Sequence, residues 1–260
     1  MTTKAKTNFL EYRLTMGMTT MEGRGFYYPV DTAIGNNGNL YVISRSKEET
    51  TRGIRVTICT VDSEYFGNFG GYGEGEGQFV WPCCGATDSQ GRFYLTDESL
   101  CRIVVFDEAG KPLTHWGAKG SGDGELDTPS GIAFDSKDHC YVSDTFNNRV
   151  QKFTADGKFL AQFGRHGTKK GEMSYPTDVA VDPEGDVYVC DWSKNKWDRG
   201  RIHIFDSTGA FLTSLVGDAQ QLSSWAQMTV DANDDYMKRR REVETTEPEW
   251  TFAQPTAVEF

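Results

Sequence analysis

The stretch that decides the fold is PSGIAFDSKDHCYVSDTFNNRVQKFTADG, residues 129–157. Apolar and polar residues alternate with a period of two in GIAFD, HCYVSD and RVQKFT, as half-buried strands require. The DSKD and ADG segments between and after them are rich in turn-forming residues. A fourth alternating segment, FLAQFG, follows at 159–164. The stretch therefore predicts a compact unit of four short antiparallel strands.

The same unit recurs along the chain. Prolines that open the units stand at 29, 82, 129 and 176, and a tyrosine follows twelve residues after each of them, at Tyr41, Tyr94, Tyr141 and Tyr188. Glycine-rich linkers of 14 residues join the units, as in WGAKGSGDGELDTP before Ser130. A fixed period of this length is typical of propellers, in which blades surround a central channel.

The pattern P-x-G-I-A-x-D…Y-V-x-D-x-x-N-x-R-V resembles the NHL repeat, in four copies from residue 29 to about 217. The resemblance implies an all-β protein, a β-propeller of NHL repeats with five to six blades and four antiparallel strands per blade. We expect a single domain over 1–260, with blades starting near 29, 82, 129 and 176. A partial last blade at 255 indicates either a truncated chain or an unusually incomplete blade.

Two segments depart from the repeat. Residues of about 218–252 have lost the strand pattern, which predicts a partly helical insertion, with a degenerate blade as the alternative. Residues 8–29 keep the offsets of a blade end, including Met16-Gly17, and are predicted to supply an outermost strand. Pairing of such a strand with a C-terminal partial blade would leave no exposed sheet edge.

Composition narrows the function classes. The formal net charge of −11 argues against nucleic acid as a partner, because an acidic surface repels phosphates. No apolar run is long enough for a signal sequence or a membrane span, which favours a cytoplasmic protein with no membrane partner. The six cysteines form no CxxC pair and are predicted to be buried reduced thiols rather than a disulfide framework.

The predicted topology brings the linkers and the loops between second and third strands to one face, here called the top face. The loops of units one and four, SRSKEETTRGIR and DWSKNKWDRGR, are longer than the others. Extra length on one face is typical of a binding side. For Trp192 the alternative is that it covers the edge of a neighbouring blade. The candidate ligand-binding residues are Arg45, His166, Trp192 and Trp197, together with Asp31 and Asp178 at the channel mouth.

The carboxylates at the mouth raise the question of a metal. Asp31 and Asp178 each lie two residues after a unit-opening proline, and paired carboxylates could take a hard cation such as Ca²⁺. The alternative is that they are solvated channel residues, and no cofactor is otherwise expected. The aspartates at the ends of the second strands, Asp97, Asp144 and Asp191, are expected to cap loop backbone and to pair with the following arginines.

Relatives of the NHL family include an amidating lyase that binds zinc through histidines directly after the blade prolines. This chain has Val30, Cys83, Ser130, Thr177 and Thr256 there, so that site is not carried over. We therefore expect a non-catalytic scaffold whose top face binds a protein, a peptide or a small molecule. The alternatives are a metal-assisted hydrolase or lyase at the mouth, and a chain whose last blade is completed by another chain.

Overall fold

A computed structural model of the chain describes residues 24–46, 51–192, 200–215 and 256–258. Within them, four antiparallel sheets of four strands follow one another along the sequence, and each is one blade. Blade one contains β1 (Pro29–Ile34), β2 (Leu40–Ser44), β3 (Arg55–Cys59) and β4 (Tyr65–Phe69). Blade two contains β5 (Pro82–Thr87), β6 (Phe93–Asp97), β7 (Arg102–Phe106) and β8 (Pro112–Trp116). Blade three contains β9 (Pro129–Phe134), β10 (His139–Asp144), β11 (Arg149–Thr154) and β12 (Phe159–Phe163). Blade four contains β13 (Pro176–Val181), β14 (Val187–Asp191), β15 (Arg201–Phe205) and β16 (Phe211–Leu215).

The four strands predicted from the deciding stretch are confirmed in blade three. The turn between β9 and β10 forms because Asp135 Oδ1 accepts hydrogen bonds from the backbone N–H groups of Lys137 and His139, each at 2.9 Å. A 3-10 turn at Thr145–Asn147 joins β10 to β11. In blade two, all five residues of β6 and of β7 are buried, whereas the outer strand β8 is partly exposed. The blade therefore buries its middle strands and exposes its outer edge.

The apolar core lies between blades rather than within them. Tyr41 of blade one stacks on Phe93 of blade two with ring centroids 4.9 Å apart, and Tyr94 lies 4.7 Å from Phe134 of blade three. The Tyr41 hydroxyl also donates to the Glu108 carbonyl of blade two at 2.8 Å. The repeated tyrosine is thus the residue by which one blade packs on the next.

The repeated arginine holds the glycine-rich linker against its own blade. In blade three, Arg149 donates to the carbonyl oxygens of Ser121, Gly122 and Glu125 at 2.9–3.0 Å. In blade two, Arg102 donates to the Gln78 carbonyl at 3.0 Å in the same way. Each linker therefore has a fixed position on the top face.

The first strands of the four blades are neighbours in the order β1, β5, β9, β13. Residues 256–258 continue this order, because the backbone N–H of Val258 donates to Asp178 of β13 at 2.8 Å. The described chain thus contains four complete blades and the beginning of a fifth inner segment. The predicted outer strand at Met16-Gly17 and the predicted insertion at 218–252 lie outside the described residues, and a total of five to six blades stays a prediction.

No helix in the described ranges has the length and apolar character that a membrane span needs.

Candidate functional site

A cavity of about 670 Å³ occupies the channel between the blades. It is lined by residues of all four first strands, β1, β5, β9 and β13, and by Ala257 and Val258. Asp31 and Asp178 lie at the end where these strands begin, and Ile34 and Val181 lie at the other end. Because each first strand begins on the top face, the two aspartates mark the top mouth of the channel.

Each first strand is irregular at the mouth. In β1 the pairing with β2 shifts between Pro29 and Asp31, and in β13 the pairing with β14 shifts between Pro176 and Asp178. The shift in β5 spans Pro82 to Gly85. Bulges of this kind turn side chains away from the regular alternation and are frequent beside active and binding sites. The bulges therefore set the direction of the side chains at the mouth.

Asp31 bonds blade one to blade two. Its Oδ2 accepts a hydrogen bond from the backbone N–H of Gly85 at 2.8 Å, across the boundary between β1 and β5. Burial raises the pKa of the Asp31 carboxyl above its ordinary value, and hydrogen bonds from Gly85, Thr32 and the Cys84 thiol oppose that rise. Asp31 is thus a partly buried carboxyl whose main partner is backbone.

Asp178 performs the same task one boundary further on. Its Oδ2 accepts from Val258 N–H at 2.8 Å, and the residue is only 8% exposed. Gly85 and Val258 both lie three residues after a unit-opening proline. Asp31 and Asp178 therefore occupy equivalent positions, and each makes a hydrogen bond from its own first strand to the next one.

These contacts bear on the expected Ca²⁺ site. One oxygen of each carboxylate is already used by a backbone N–H group. The ranges described contain no group of three or more His, Cys, Asp or Glu side chains arranged to hold a metal ion. Binding of Ca²⁺ by Asp31 and Asp178 stays a prediction.

Replacement of Asp31 tests its bond to Gly85. Asp31→Ala should lower the free energy of unfolding by about 1–3 kcal/mol, because the Gly85 N–H loses its acceptor. Asp31→Asn should cost less, since its amide oxygen can still accept. The pKa of Asp31 is raised above 3.8, so the folded protein binds this proton more tightly than the unfolded chain does. The free energy of unfolding of the wild type should therefore fall relative to that of Asp31→Asn as the pH rises from the pKa of Asp31 in the unfolded chain through its higher pKa in the folded protein.

Urea unfolding of the three proteins over a pH series measures this difference. A gap between wild type and Asp31→Asn that does not change with pH would count against the buried position of Asp31.

Arg45 lies between blades one and two. Its Nε donates to the Pro82 carbonyl, and its guanidinium lies 3.2 Å from Glu98 Oε2 and 5.0 Å from the Trp81 ring centre. Thr145, at the equivalent position of blade three, donates to the Pro176 carbonyl at 2.8 Å. Arg45 thus joins blade one to blade two on the top face. Its contact with a ligand stays a prediction.

The other candidates also lie on the top face where they are described. Trp192 is partly buried, and its backbone N–H donates to the Tyr175 carbonyl at 2.9 Å. His166 is exposed in the linker, with Nδ1 3.3 Å from Asn148 Oδ1. Trp197 lies outside the described residues. The structure brings Asp31 and Asp178 to one cavity, but His166 and Arg45 do not line it.

The second-strand aspartates bond to loop backbone, as expected, and the expected pairing with the following arginine is found for Asp144 and Asp191. Asp144 is fully buried and accepts from Asp127 N–H at 2.7 Å and from Arg149 Nε at 2.8 Å. Asp97 accepts from Val80 N–H at 2.8 Å, and Asp191 accepts from Ser174 N–H at 2.7 Å. Each aspartate therefore holds the end of the preceding linker.

Comparison with known proteins agrees with this architecture. The NHL repeat family model matches residues 126–153 and 173–205, which cover most of blades three and four. The chain contains NHL repeats. No curated protein sequence matches it significantly.

Solved structures that resemble the NHL propeller in fold differ from it widely in sequence. A streptogramin B lyase is 14% identical with a TM-score of 0.51, and the match covers 71% of this chain and 53% of that one. A chain of a nidogen/laminin complex is 16% identical with a TM-score of 0.53, covering 76% and 66%. A gluconolactonase from Xanthomonas campestris is 19% identical with a TM-score of 0.50, covering 70% and 59%.

At these identities the likeness concerns the fold alone. The NHL propeller spans a little over half the length of the first structures matched. Two of those described are named as enzymes and one is a protein–protein complex, so the shared fold does not choose between catalysis and binding.

The top face of the NHL propeller also carries aromatic residues that the sequence analysis missed. Aromatic residues precede the opening proline in three of the four blades, at Tyr28, Trp81 and Tyr175. Phe146, in the loop after β10, contacts Tyr175 with ring centroids 5.8 Å apart and is 55% exposed. We call these four residues the rim aromatics. An aromatic residue before proline at a constant offset was the signal that could have found them.

The backbone beneath the rim aromatics is held in place. Arg45 N–H donates to the Tyr28 carbonyl, and Glu98 N–H donates to the Trp81 carbonyl, each at 3.0 Å. Tyr28 and Tyr175 have positive φ values of 43° and 105°. Such conformations are costly for residues with a Cβ and persist where the surroundings fix them. The rim aromatics are thus presented from a rigid frame.

Proposed function

We propose that the NHL propeller is a non-catalytic binding module whose top face, around the channel mouth, takes a segment of a protein or a peptide. The single observation that carries the proposal is the set of rim aromatics, gathered on one face beside the mouth. Tyr28 and Phe146 are 46% and 55% exposed. Aromatic residues on a rigid surface are the side chains most enriched in binding hot spots.

Charge indicates the kind of segment. The mouth holds the Asp31 and Asp178 carboxylates, and the protein as a whole has a net charge of −11. Faces of aromatic rings attract cations, and acidic surfaces speed the approach of basic partners. We therefore propose a segment with lysine or arginine side chains, and nucleic acid does not fit this surface.

Rigidity adds support. Bonds from Asp31 to Gly85 and from Arg45 to Pro82 cross the boundary between blades one and two. A surface that is fixed before binding loses little conformational entropy when a ligand binds. Location in the cytoplasm and completion of the last blade by another chain stay predictions.

A random-peptide phage library tests the proposal, with selection on wild-type protein and affinity measurement on variants. We expect the selected peptides to be rich in basic residues and to bind Phe146→Ala about tenfold more weakly, which corresponds to 1.4 kcal/mol. Tyr28→Ala should weaken the same peptides.

Phe66→Ala is the matched control, because Phe66 is also exposed, at 53%, but lies on β4. This strand is the outermost of blade one, and β2 and β3 separate it from the channel-lining strand β1. Its affinity should equal that of wild type. Peptides that depend on Phe66 but not on Tyr28 or Phe146 would overturn the proposal.

A further inference from the structure

Two adjacent cysteines lie at the channel mouth. Cys83 and Cys84 follow Pro82 in β5, and both are partly exposed. Their sulfur atoms are 3.8 Å apart. The other four cysteines, Cys59, Cys101, Cys140 and Cys190, are buried. Cys83 and Cys84 therefore carry the two thiols that a reagent in the solvent can reach most easily.

The backbone at the pair is suited to local change. Pro82 pairs with Asp97 and Gly85 pairs with Leu95, so neither cysteine between them has a register partner on β6. A disulfide has sulfur atoms about 2.05 Å apart, so the two sulfurs must approach by roughly 1.8 Å. Cys84 is held to β6 by the Thr96 side chain, whose Oγ1 accepts from Cys84 N–H at 2.9 Å, so the movement would disturb this side-chain bond but none of the register pairs of β6.

We propose that Cys83 and Cys84 form an oxidation site, at which a hydroperoxide converts the two thiols into a disulfide between adjacent residues. In the first step a cysteine sulfur that has lost its proton attacks a peroxide oxygen, and the O–O bond breaks. The departing oxygen takes up the proton as water or alcohol, and a sulfenic acid remains. The second sulfur then attacks it, the S–S bond forms, and water leaves with the second proton. The two thiols supply the two electrons that reduce the peroxide.

Neighbouring groups indicate the order of the two sulfurs. The Cys84 thiol hydrogen bonds with Cys83, and this bond, with burial, raises the pKa of Cys84 well above its ordinary value. Cys84 therefore keeps its proton at neutral pH, and Cys83 is the sulfur that attacks first. Cys84 resolves the sulfenic acid.

Oxidation would act directly on the mouth. Gly85, the residue after Cys84, donates its backbone N–H to Asp31 Oδ2 at 2.8 Å, and the neighbouring Cys84 thiol lowers the pKa of that carboxyl. Formation of the S–S bond removes this thiol hydrogen and draws Cys84 towards Cys83. The proposal goes beyond the binding function and does not depend on it.

The buried cysteines serve as internal controls. Burial raises the pKa of the Cys190 thiol to about 12 and raises the pKa of Cys140 as well. Thiols in that state are poor first attackers of a peroxide, because the thiolate is the reactive form, and these thiols are buried away from a peroxide in the solvent, whereas Cys83 is partly exposed. A folded protein should therefore oxidise at Cys83 and Cys84 before the others.

The test treats the folded full-length chain with hydrogen peroxide, then alkylates the remaining thiols after denaturation. Cleavage after Glu76 and Glu98 gives a peptide whose only cysteines are Cys83 and Cys84. We expect this peptide to lose two hydrogen atoms, to resist alkylation, and to recover both thiols with a reductant. The four buried cysteines should remain alkylable.

Variants separate the proposal from general oxidation. Cys83→Ser and Cys84→Ser should each abolish the loss of two hydrogens, and Cys101→Ser should leave it unchanged, with circular dichroism confirming that each protein is folded. Three results would overturn the proposal: a disulfide to a buried cysteine or to another molecule, sulfinic acid with no loss of two hydrogens, or full alkylation of the pair.

Discussion

Asp144→Ala should lower the free energy of unfolding by about 3–5 kcal/mol, because it leaves a buried arginine without its counter-charge. Asp144 is fully buried and accepts from Arg149 Nε at 2.8 Å and from Gln151 Nε2 at 3.0 Å. It also accepts from the backbone N–H of Asp127 at 2.7 Å, so the linker before blade three loses its attachment too. Equilibrium unfolding in urea measures the loss.

Asp156→Ala is the control for Asp144→Ala. Asp156 pairs with Arg92 at 3.3 Å, but its side chain is 87% exposed. Exposed ion pairs contribute about 0–1 kcal/mol, so this variant should be close to wild type. Equal losses in the two variants would mean that Asp144 is not the buried centre of its network.

Gly131→Ala should be the other strongly destabilising change. A Cβ at Gly131 would lie 2.4 Å from Asp178 Oδ1, 2.5 Å from Asp178 Cα and 2.7 Å from Val179 N. Two of these atoms are backbone, so β9 and β13 would have to separate at the mouth. Overpacking of this kind costs about 1–3 kcal/mol, and we expect a loss of about 3 kcal/mol because backbone must move.

Gly122→Ala is the matched control for Gly131→Ala. The nearest atom to a Cβ at Gly122 is Glu125 Oε2 at 3.1 Å, at the end of a flexible side chain. Its stability should stay within about 1 kcal/mol of wild type, because an unstrained Gly→Ala change also reduces the entropy of the unfolded chain. If Gly131→Ala were as mild, the close approach of β9 and β13 would be wrong.

Much of the fold could be predicted from the sequence because the repeat is strict. The spacing from Pro129 to Tyr141 and on to Arg149 recurs, and each of these residues has a local reason for its place. Tyr141 is fully buried at a blade boundary, and Arg149 is fixed by Asp144 and by the linker carbonyls. Four blades of four strands follow from these offsets without any long-range knowledge.

The site was harder to predict, because its contacts cross blade boundaries. The position of Asp31 two residues after Pro29 does not indicate that its carboxylate accepts a hydrogen bond from Gly85, 54 residues away. The same holds for Arg45, whose partner Pro82 opens the next blade. The prediction of six buried thiols is wrong for Cys83 and Cys84, which are partly exposed because the bulge at the start of β5 takes them out of the regular strand.

The rim aromatics were missed for a different reason. The predicted mouth residues follow the unit-opening prolines, whereas Tyr28, Trp81 and Tyr175 stand one residue before them. Blade three has Thr128 there, and Phe146 contributes an exposed ring to that sector from another loop. A pattern that changes position between repeats is visible only when the blades are placed side by side.

Residue-resolved hydrogen exchange at Gly85 is the most direct test that the first strands lie side by side about one channel and are joined by carboxylate bonds. If they do, the Gly85 amide should be strongly protected in wild type and should exchange much faster in folded Asp31→Ala, while the Val179 amide, two blades away, keeps its rate. An unprotected Gly85 amide, or one whose exchange rate is the same in both proteins, would contradict the account.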